Sequence, residues 1–392
     1  MAKKHHVYLV PGFFGFANLG ELVYFGHVRD FLEEELRRRG LEARVHTVLS
    51  HPTASIRARA ADLLSSLKET SGTPEGPDEE SVIHLIGHST GGLDARLLVT
   101  PGARLGEGLD VEPWAQKVKS VVCVATPHVG TPLASFFLGF FGHRLLELTS
   151  LFTVYALRFG RLPLSVVFRF GGLLAKADDQ LGWRQTLLDQ LFGQLLSDFS
   201  KDRQEALVKF FKEVGSDTSL IPQLTPQNMD LFNAATPDRP GVRYGSVVTR
   251  ARPPSLRGRL SAGLDPYAQL THSIFSLFYG RAGRLKELDF PRLQPEQSAV
   301  LLKAYGKLPR PEDSDGIVPT RSQPYGKVIA AVNADHLDVI GHFDEPSHAP
   351  PHVDWLISGS GFRRFGFERT WRSVVDFMLE EAEQRPPVVS RL

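Results

Sequence analysis

The chain has 392 residues, of which 42% are hydrophobic and 23% are charged, enough to bury a large core. Its 45 basic and 44 acidic residues leave a net charge of +1, which provides no overall field to attract nucleic acid. Because Cys123 is the only cysteine, an intrachain disulfide and a thiolate-rich zinc site are excluded.

The N-terminus carries Lys3 and Lys4, followed by a short apolar run that ends at Pro11. That run is too short for the apolar core of a signal peptide and lacks a small-residue cleavage site. No run of 18 uncharged apolar residues occurs, so we expect no transmembrane segment. We therefore expect a cytoplasmic protein or one exported by a leaderless route, and the sequence does not indicate its oligomeric state.

Strand-like and helix-like segments alternate along most of the chain. Short β-branched apolar runs are typical of buried parallel strands, and amphipathic segments between them are typical of helices that cover a sheet. This alternation predicts an α/β fold with a mostly parallel central sheet flanked by helices. The segment 281–312, rich in Arg, Lys, Pro and Leu, is predicted to be a surface excursion. The predicted strands cover 5–10, 82–86, 118–125, 242–248 and 327–332, and the predicted helices cover 28–39, 55–70, 92–99 and 367–383.

The middle of the chain, 133–214, has no clear alternation of period two and is rich in Phe and Leu. Arg158, Arg161 and Arg169 interrupt its apolar runs, so no part of it is expected to span a bilayer. These segments could pack as a fixed cap, or they could form a mobile lid whose apolar underside faces lipid. The predicted organisation is an α/β core, 1–132 and 215–392, with an inserted helical lid or cap, 133–214.

The stretch Ile86-Gly87-His88-Ser89-Thr90-Gly91-Gly92 contains the pattern Gly-x-Ser-x-Gly between a predicted strand and a predicted helix. In that context the pattern predicts a nucleophile elbow, a tight turn that lifts the hydroxyl of Ser89 out of the sheet. Gly87 and Gly91 permit the turn because they have no Cβ atom to clash with the neighbouring backbone.

A serine hydroxyl becomes a good nucleophile only when a base takes its proton. In hydrolases with this elbow the order along the chain is serine, acid, histidine, each placed after a strand. Asp315, in an Asp-Gly turn, and His336, after the predicted strand 327–332, have this order. A carboxylate on Nδ1 would fix the tautomer and leave Nε2 free to accept the serine proton. Rival acids are Asp313 and Asp335, and rival histidines are His88, His128, His342, His348 and His352.

An oxyanion hole requires two backbone N–H groups near the nucleophile. Thr90, directly after the nucleophile, is expected to supply one, and Phe13, in the loop after the first strand, is expected to supply the other. Gly12 and Gly15 would allow that loop to turn its N–H inward. Phe13 and the neighbouring phenylalanines would form an apolar rim around the site or else pack in the core.

These motifs resemble those of the bacterial true lipases, the triacylglycerol lipases of the α/β-hydrolase superfamily. The resemblance implies Ser89 as nucleophile, Asp315 as acid and His336 as base of a serine carboxylic-ester hydrolase that forms an acyl-enzyme intermediate. The chain departs from the family at Pro11, where a histidine usually precedes the glycine, and this affects the geometry of the oxyanion loop. The matching blocks span almost the whole chain: Leu9-Val10-Pro11-Gly12-Phe13, the elbow, Ala125-Thr126-Pro127-His128-Val129-Gly130-Thr131, Leu264-Asp265-Pro266, Asp315-Gly316-Ile317-Val318 and His336-Leu337-Asp338.

The resemblance also implies a structural calcium ion that braces the histidine loop, with Asp265 and Asp338 as its charged ligands. Hard carboxylate oxygens suit calcium. Two features depart from the family: the separation between Asp265 and Asp315 is longer, and His342 stands where the family offers an amide side chain, whose backbone carbonyl is the usual ligand. The two carboxylates could instead form a helix cap and a salt bridge. No cofactor is required for the chemistry itself.

The leading function is therefore hydrolysis of lipid-like acyl esters, with the substrate dissolved or at a lipid–water interface. An acyltransferase or a thioesterase could use the same triad, because the fold does not set the acyl acceptor. A non-catalytic lipid-binding module is the third alternative. Such a module would be expected to lack a member of the triad, and all three candidates are present in this chain.

Overall fold

The computed structural model describes residues 4–13, 24–73, 76–78, 80–138, 217–255, 265–286, 290–354 and 356–380, with a few single positions between 166 and 208. The predicted lid or cap, 133–214, falls outside these ranges apart from 133–138 and the single positions, so its arrangement stays a prediction. No helix within the described ranges is long and apolar enough to cross a membrane.

A six-stranded sheet lies at the centre of the fold. Its strands are β1 (His5–Val10), β2 (Ala43–Thr47), β3 (Val82–His88), β4 (Val118–Val124), β5 (Arg243–Thr249) and β6 (Lys327–Val332). They lie in the order β2-β1-β3-β4-β5-β6, and each neighbouring pair is parallel. The predicted α/β fold with a mostly parallel sheet is confirmed.

Helices cover both faces of this sheet. In chain order they are α1 (Gly26–Arg38), α2 (Ile56–Ser71), α3 (Gly91–Val99), α4 (Glu112–Ala115), α5 (Pro132–Leu138), α6 (Leu220–Gln223), α7 (Pro226–Ala235), α8 (Pro266–Ala282), α9 (Pro295–Tyr305) and α10 (Arg364–Leu379). α1 packs against α10 on one face, and α2 packs against α3 on the other.

The side chains of β1 show how the sheet separates two apolar cores. Val7 and Leu9 are buried in the core beneath α1 and α10, whereas Tyr8 and Val10 are buried in the core beneath α2 and α3. Because successive side chains of a strand point to opposite faces, a strand buried on both sides must be apolar at almost every position. This requirement explains why the inner strands are recognisable in the sequence as continuous apolar runs.

Two parts of the fold differ from the sequence-based expectation. β2 was not predicted, because it is an edge strand with partly exposed and charged residues and so lacks an apolar run. The predicted surface excursion, 281–312, contains α9, whose Leu301 and Tyr305 are buried beside β5 and β6. Gln294 and Gln297 form a capping box at its start, and Pro295 at the first helical position is the helix signal that the prediction overlooked.

Close backbone packing at the end of β3 gives a stability prediction. A Cβ atom at Gly87 would lie 2.3 Å from backbone atoms of Gly91 and Gly92. We expect Gly87→Ala to lower the free energy of unfolding by about 3 kcal/mol or more, since neither backbone segment can move aside. A Cβ atom at Gly280, in α8, would meet nothing within 4 Å. Gly280→Ala is therefore expected to raise the free energy of unfolding by about 0.5–1 kcal/mol.

Urea unfolding followed by circular dichroism measures both changes. A Gly87→Ala protein as stable as the wild type would contradict the packing described for the end of β3.

Candidate active site

The candidate site lies at the carboxyl ends of the strands. β1 lies between β2 and β3, so the chain connects β1 to β2 on one side and returns to place β3 on the other. Such a switch in strand order opens a crevice at the carboxyl ends of the two strands, where ligands commonly bind in α/β proteins. Ser89 directly follows β3, and the loop with Phe13 follows β1. The topology therefore brings both residues to one crevice.

The backbone at Ser89 is strained. Its φ of 54° lies in the left-handed region, which residues with a side chain rarely adopt, and among the non-glycine residues described only Ala125 shares it. The N–H of Ser89 donates to the carbonyl of Val124 at 2.8 Å, and α3 begins two residues later. This is the strand–turn–helix geometry that the sequence predicts for a nucleophile elbow. Strain of this kind is typical of functional sites.

Asp315 and His336 form a hydrogen-bonded pair. Nδ1–H of His336 donates to Oδ2 of Asp315 at 2.8 Å, and the backbone N–H of His336 donates to the carbonyl of Asp315 at 3.1 Å. Both side chains are buried. This contact fixes the imidazole tautomer and leaves Nε2 as the acceptor, the arrangement that a general base requires.

Both oxygens of the Asp315 carboxylate accept several hydrogen bonds. Oδ1 accepts the backbone N–H groups of Ile317 and Val318 at 2.9 and 2.7 Å. Besides His336, Oδ2 accepts the hydroxyl of Thr249 at 2.8 Å and the amide of Gln323 at 3.2 Å. Hydrogen bonds of this number satisfy a buried carboxylate and keep it in one orientation.

Nε2 of His336 is buried and has no hydrogen-bond partner within the described ranges. It therefore does not hold the Ser89 hydroxyl in this conformation. The turn that carries Ser89 nonetheless lies near His336 in space, since the ring of the preceding residue, His88, is 4.7 Å from the ring of His336 between centroids. Catalytic hydrogen bonds are often long in the absence of substrate and tighten when it binds.

His88 positions the backbone of the base. Burial holds the pKa of His88 well below its usual range, so its ring is neutral. Nε2–H of His88 donates to the carbonyl of His336 at 2.8 Å, and Nδ1 accepts the hydroxyl of Tyr24 at 2.6 Å. Because both ring nitrogens are occupied by structural partners, His88 has none left to accept a proton from Ser89.

Three other rivals, His342, His128 and Asp313, also have partners of their own. His342 is buried, and its Nε2 lies 3.1 Å from the carbonyl of Tyr24. Nδ1 of His128 accepts from Arg96 at 3.0 Å. Asp313 pairs with Arg310 at 3.2 Å. These contacts favour structural roles for the three rivals.

The loop after β1 lies directly against Ser89. A Cβ atom at Gly12 would lie 2.5 Å from Cβ of Ser89, so only glycine allows this approach. The guanidinium of Arg59 donates to the carbonyl of Pro11 at 2.6 Å and pairs with Asp94 at 2.8 Å, and both charged side chains are fully buried. The loop that carries Phe13 is thus fixed at its start by a buried ion pair between α2 and α3.

An apolar pocket opens beside Ser89. Phe13 and Thr90, the two residues expected to supply the oxyanion amides, both line it. The remaining wall is almost entirely hydrocarbon and comes from loops, α5 and α6. It is formed by Pro127, Thr131, Leu133, Ala134, Phe137, Ile221, Leu224, Ile317 and Val318.

The two carboxylates predicted to bind calcium lie in different surroundings. Asp265 is the N-cap of α8, and its side chain accepts the N–H of Tyr267 at 3.1 Å. Asp338 lies in a three-carboxylate cluster with Asp335 and Asp354, whose ligand oxygens are within 4.8 Å of one another. The structure thus gives Asp338 two carboxylate neighbours that the sequence did not indicate as ligands, and Asp265 is not a member of the cluster.

The chemistry of the three-carboxylate cluster fits a cation. Burial and the charges of Asp335 and Asp354 raise the pKa of Asp338 well above its usual range. Oδ2 of Asp335 is buried and has no hydrogen-bond partner among the residues described. A hard divalent cation would supply the missing positive charge and a partner for that oxygen.

Several supporting residues were not found from the sequence. Thr249 and Gln323 hold Asp315, Tyr24 holds His88, and Asp354 completes the carboxylate cluster. Thr249 ends β5, so its place at the carboxyl edge of the sheet was a usable signal. The others lie in irregular segments, where no periodicity marks the direction of a side chain.

The chain is similar in structure to bacterial esterases and lipases. EstA from Clostridium botulinum is 21% identical with a TM-score of 0.51, and the alignment covers 92% of this chain and 87% of that one. The Staphylococcus hyicus lipase is 16% identical with a TM-score of 0.50, and the alignment covers 96% and 95%. No family model and no curated protein sequence matches the chain. At these identities the similarity establishes an α/β-hydrolase-like fold.

The geometry predicts which serine reacts with a fluorophosphonate probe. We expect labelling of Ser89 in the wild type, none in Ser89→Ala, and labelling about a hundredfold slower or more in His336→Ala, because the base is removed. Labelling rates by gel fluorescence or intact mass measure this.

Two rivals provide matched controls. His342→Gln and Asp313→Asn should label at the wild-type rate. Slow labelling of His342→Gln together with normal labelling of His336→Ala would transfer the role of base to His342.

Proposed function

We propose that the chain is a serine carboxylic-ester hydrolase of the bacterial true lipase type, acting on lipid-like acyl esters. The observation that carries this proposal is the buried Asp315–His336 pair beside a strained Ser89 that opens into an apolar pocket. Each part has a separate use: the pair activates a hydroxyl, the elbow presents it, and the pocket accepts an acyl chain. The overall similarity to bacterial lipases and esterases supports the fold on which this chemistry occurs.

The first half of the reaction forms an acyl-enzyme. Oγ of Ser89 attacks the ester carbonyl carbon while Nε2 of His336 takes its proton. The carboxylate of Asp315 keeps Nδ1–H oriented and stabilises the imidazolium. The C–O bond to the alcohol then breaks as His336 gives its proton to the leaving oxygen.

The second half releases the acid. His336 takes a proton from a water molecule, whose oxygen attacks the acyl carbon, and the proton then passes to Oγ of Ser89 as the ester bond breaks. In both halves the N–H groups of Phe13 and Thr90 would donate to the negatively charged carbonyl oxygen. Removing one such donor typically slows turnover about a hundredfold to a thousandfold. The fixed carbonyl of Pro11 and the absence of a Cβ at Gly12 support this role for the loop.

The apolar pocket predicts a preference for longer acyl chains. We expect kcat/KM on dissolved nitrophenyl esters to rise about fourfold for each methylene that the pocket buries, since burial contributes about 0.8 kcal/mol per methylene. Ile317→Ala, which shortens one wall, should lower the rate on long chains and leave the acetyl ester unchanged. Leu231→Ala, 69% exposed on α7, is the control and should change neither.

Rates measured over a range of ester concentrations, with and without added alcohol, test the alternatives of a mobile lid, a fixed cap and an acyltransferase. A jump in rate as the ester passes its solubility limit would support a mobile lid over 133–214, and smooth saturation would support a fixed cap. Consumption of ester only when an alcohol is added would indicate an acyltransferase. Absence of any ester cleavage by a protein whose Ser89 reacts with the phosphonate probe would contradict the proposal.

We also propose that the three-carboxylate cluster of Asp335, Asp338 and Asp354 binds calcium. The ion would neutralise two buried carboxylates and the half-buried Asp354 and would fix the turn that carries His336, and no step of the reaction uses it. Asp335 and Asp338 flank that residue in the chain. Oδ1 of Asp335 already accepts the N–H of Asp338, so the turn has the compact form that an ion would stabilise.

Thermal melts with a chelator and with millimolar calcium test this site. We expect calcium to raise the melting temperature, because it binds the folded chain only, and Asp354→Asn to lose most of that increase. Asp265→Asn is the informative control, since asparagine preserves the helix cap and removes the charge. It should keep the calcium effect. Loss of the effect in Asp265→Asn and not in Asp354→Asn would favour Asp265 as the ligand, and identical melts in chelator and calcium would exclude the ion.

A further inference from the structure

Three histidines outside the candidate active site converge at one place. His27 lies in the first turn of α1, whereas His348 and His352 lie in the irregular segment after the His336 loop. Their ligand nitrogens are within 4.8 Å of one another. We call these three residues the imidazole cluster. Its formation requires two parts of the chain that are far apart in sequence, so it does not arise from local spacing alone.

A backbone carbonyl already fixes one of the three rings. Nδ1–H of His352 donates to the carbonyl of Gly341 at 2.6 Å, which leaves Nε2 with a free lone pair. A carbonyl on one nitrogen is the usual second partner of a histidine that binds a metal through the other.

The third ring has an unused nitrogen. Nδ1 of His348 is buried and has no hydrogen-bond partner among the described residues. Such a nitrogen costs free energy unless a donor or a cation occupies it.

The rings are already stacked in fixed orientations. His27 lies over His352 with 3.5 Å between ring centroids, and Phe343 stacks on His352 at 4.2 Å. His348 and His352 have the H-x3-H spacing of many zinc ligand pairs. In a tetrahedral site with bonds of about 2.0–2.1 Å, ligand nitrogens are about 3.3 Å apart. Because the lone pair of an imidazole lies in the ring plane, the stacked rings of His27 and His352 would have to tilt toward each other, and His348 to rotate, for the three nitrogens to reach one ion.

An open cavity of about 380 Å³ adjoins the imidazole cluster. Asp30 and Glu34, which share the α1 face of His27 at helical spacing, line it and are exposed. A fourth coordination position could thus be filled by water or by a carboxylate. The cavity also provides a route by which an ion could enter.

We propose that His27, His348 and His352 form a binding site for a divalent transition-metal ion of the zinc class. Three neutral imidazoles favour zinc and its neighbours over calcium and magnesium, which prefer oxygen ligands. The site is separate from the three-carboxylate cluster. It would join the start of α1, which follows the oxyanion loop, to the segment that follows the His336 loop. Zinc would therefore cross-link the two loops that complete the candidate active site, at a distance from the reacting atoms.

Titration calorimetry of the untagged, chelator-treated chain with zinc chloride tests the proposal. Millimolar calcium is present throughout, so that carboxylate sites are filled with a hard cation. We expect one zinc ion per chain with micromolar or tighter affinity, and His348→Gln to weaken binding about tenfold or more. His348 suits this test because it is half-exposed and its Nδ1 holds no structural partner among the described residues.

Cobalt provides a second readout. A cobalt complex of the wild type should show the strong visible absorption of tetrahedral coordination, and His348→Gln should lose it. His46→Gln, a half-exposed histidine on β2, is the matched control and should bind as the wild type does. Binding weaker than about 100 μM, where cellular zinc could not fill the site, would overturn the proposal. Equal binding by His348→Gln and His27→Gln, or loss in His46→Gln, would overturn it as well.

Discussion

The carboxylate of Asp315 is the group on which the rest of the site depends. It has no contact with solvent and accepts five hydrogen bonds, from its own turn, from β5, from the turn after Pro319 and from His336. An unpaired buried charge would cost several kcal/mol, so these donors must all be in place when the chain is folded. The orientation of the His336 imidazole therefore depends on the segments around β5 and β6. Disorder in any one of these segments would displace that imidazole.

On the other side of the crevice, backbone packing replaces hydrogen bonding as the main constraint. The loop after β1 and the start of α3 approach so closely that a Cβ atom at Gly91 would lie 2.2 Å from the carbonyl oxygen of Val10. The buried pair of Arg59 and Asp94 then holds the loop by its Pro11 carbonyl. One half of the site is thus positioned by hydrogen bonds to a buried carboxylate, and the other by close backbone packing together with a buried ion pair.

The sequence predicted the centre of this molecule better than its edges. The inner strands and the elbow were predicted because burial on both faces, and a turn that only glycine allows, leave strong marks on residue choice. β2 escaped prediction because an edge strand is free to carry polar residues. The clusters around Asp354 and His348 escaped it for another reason: they lie in irregular segments, whose side-chain directions depend on tertiary packing. The lid over 133–214 is still known only from its composition.

Replacement by glycine has different consequences at the two strained residues, Ser89 and Ala125. Each holds a positive φ that glycine would adopt without cost. At Ala125 the exchange to glycine removes one methyl group and no reactive atom. At Ser89 the same exchange removes the hydroxyl that we propose as the nucleophile. A screen for heat resistance alone would therefore select glycine at position 89 and enrich chains that lack the proposed nucleophile. Selection for a more stable protein must therefore measure turnover as well.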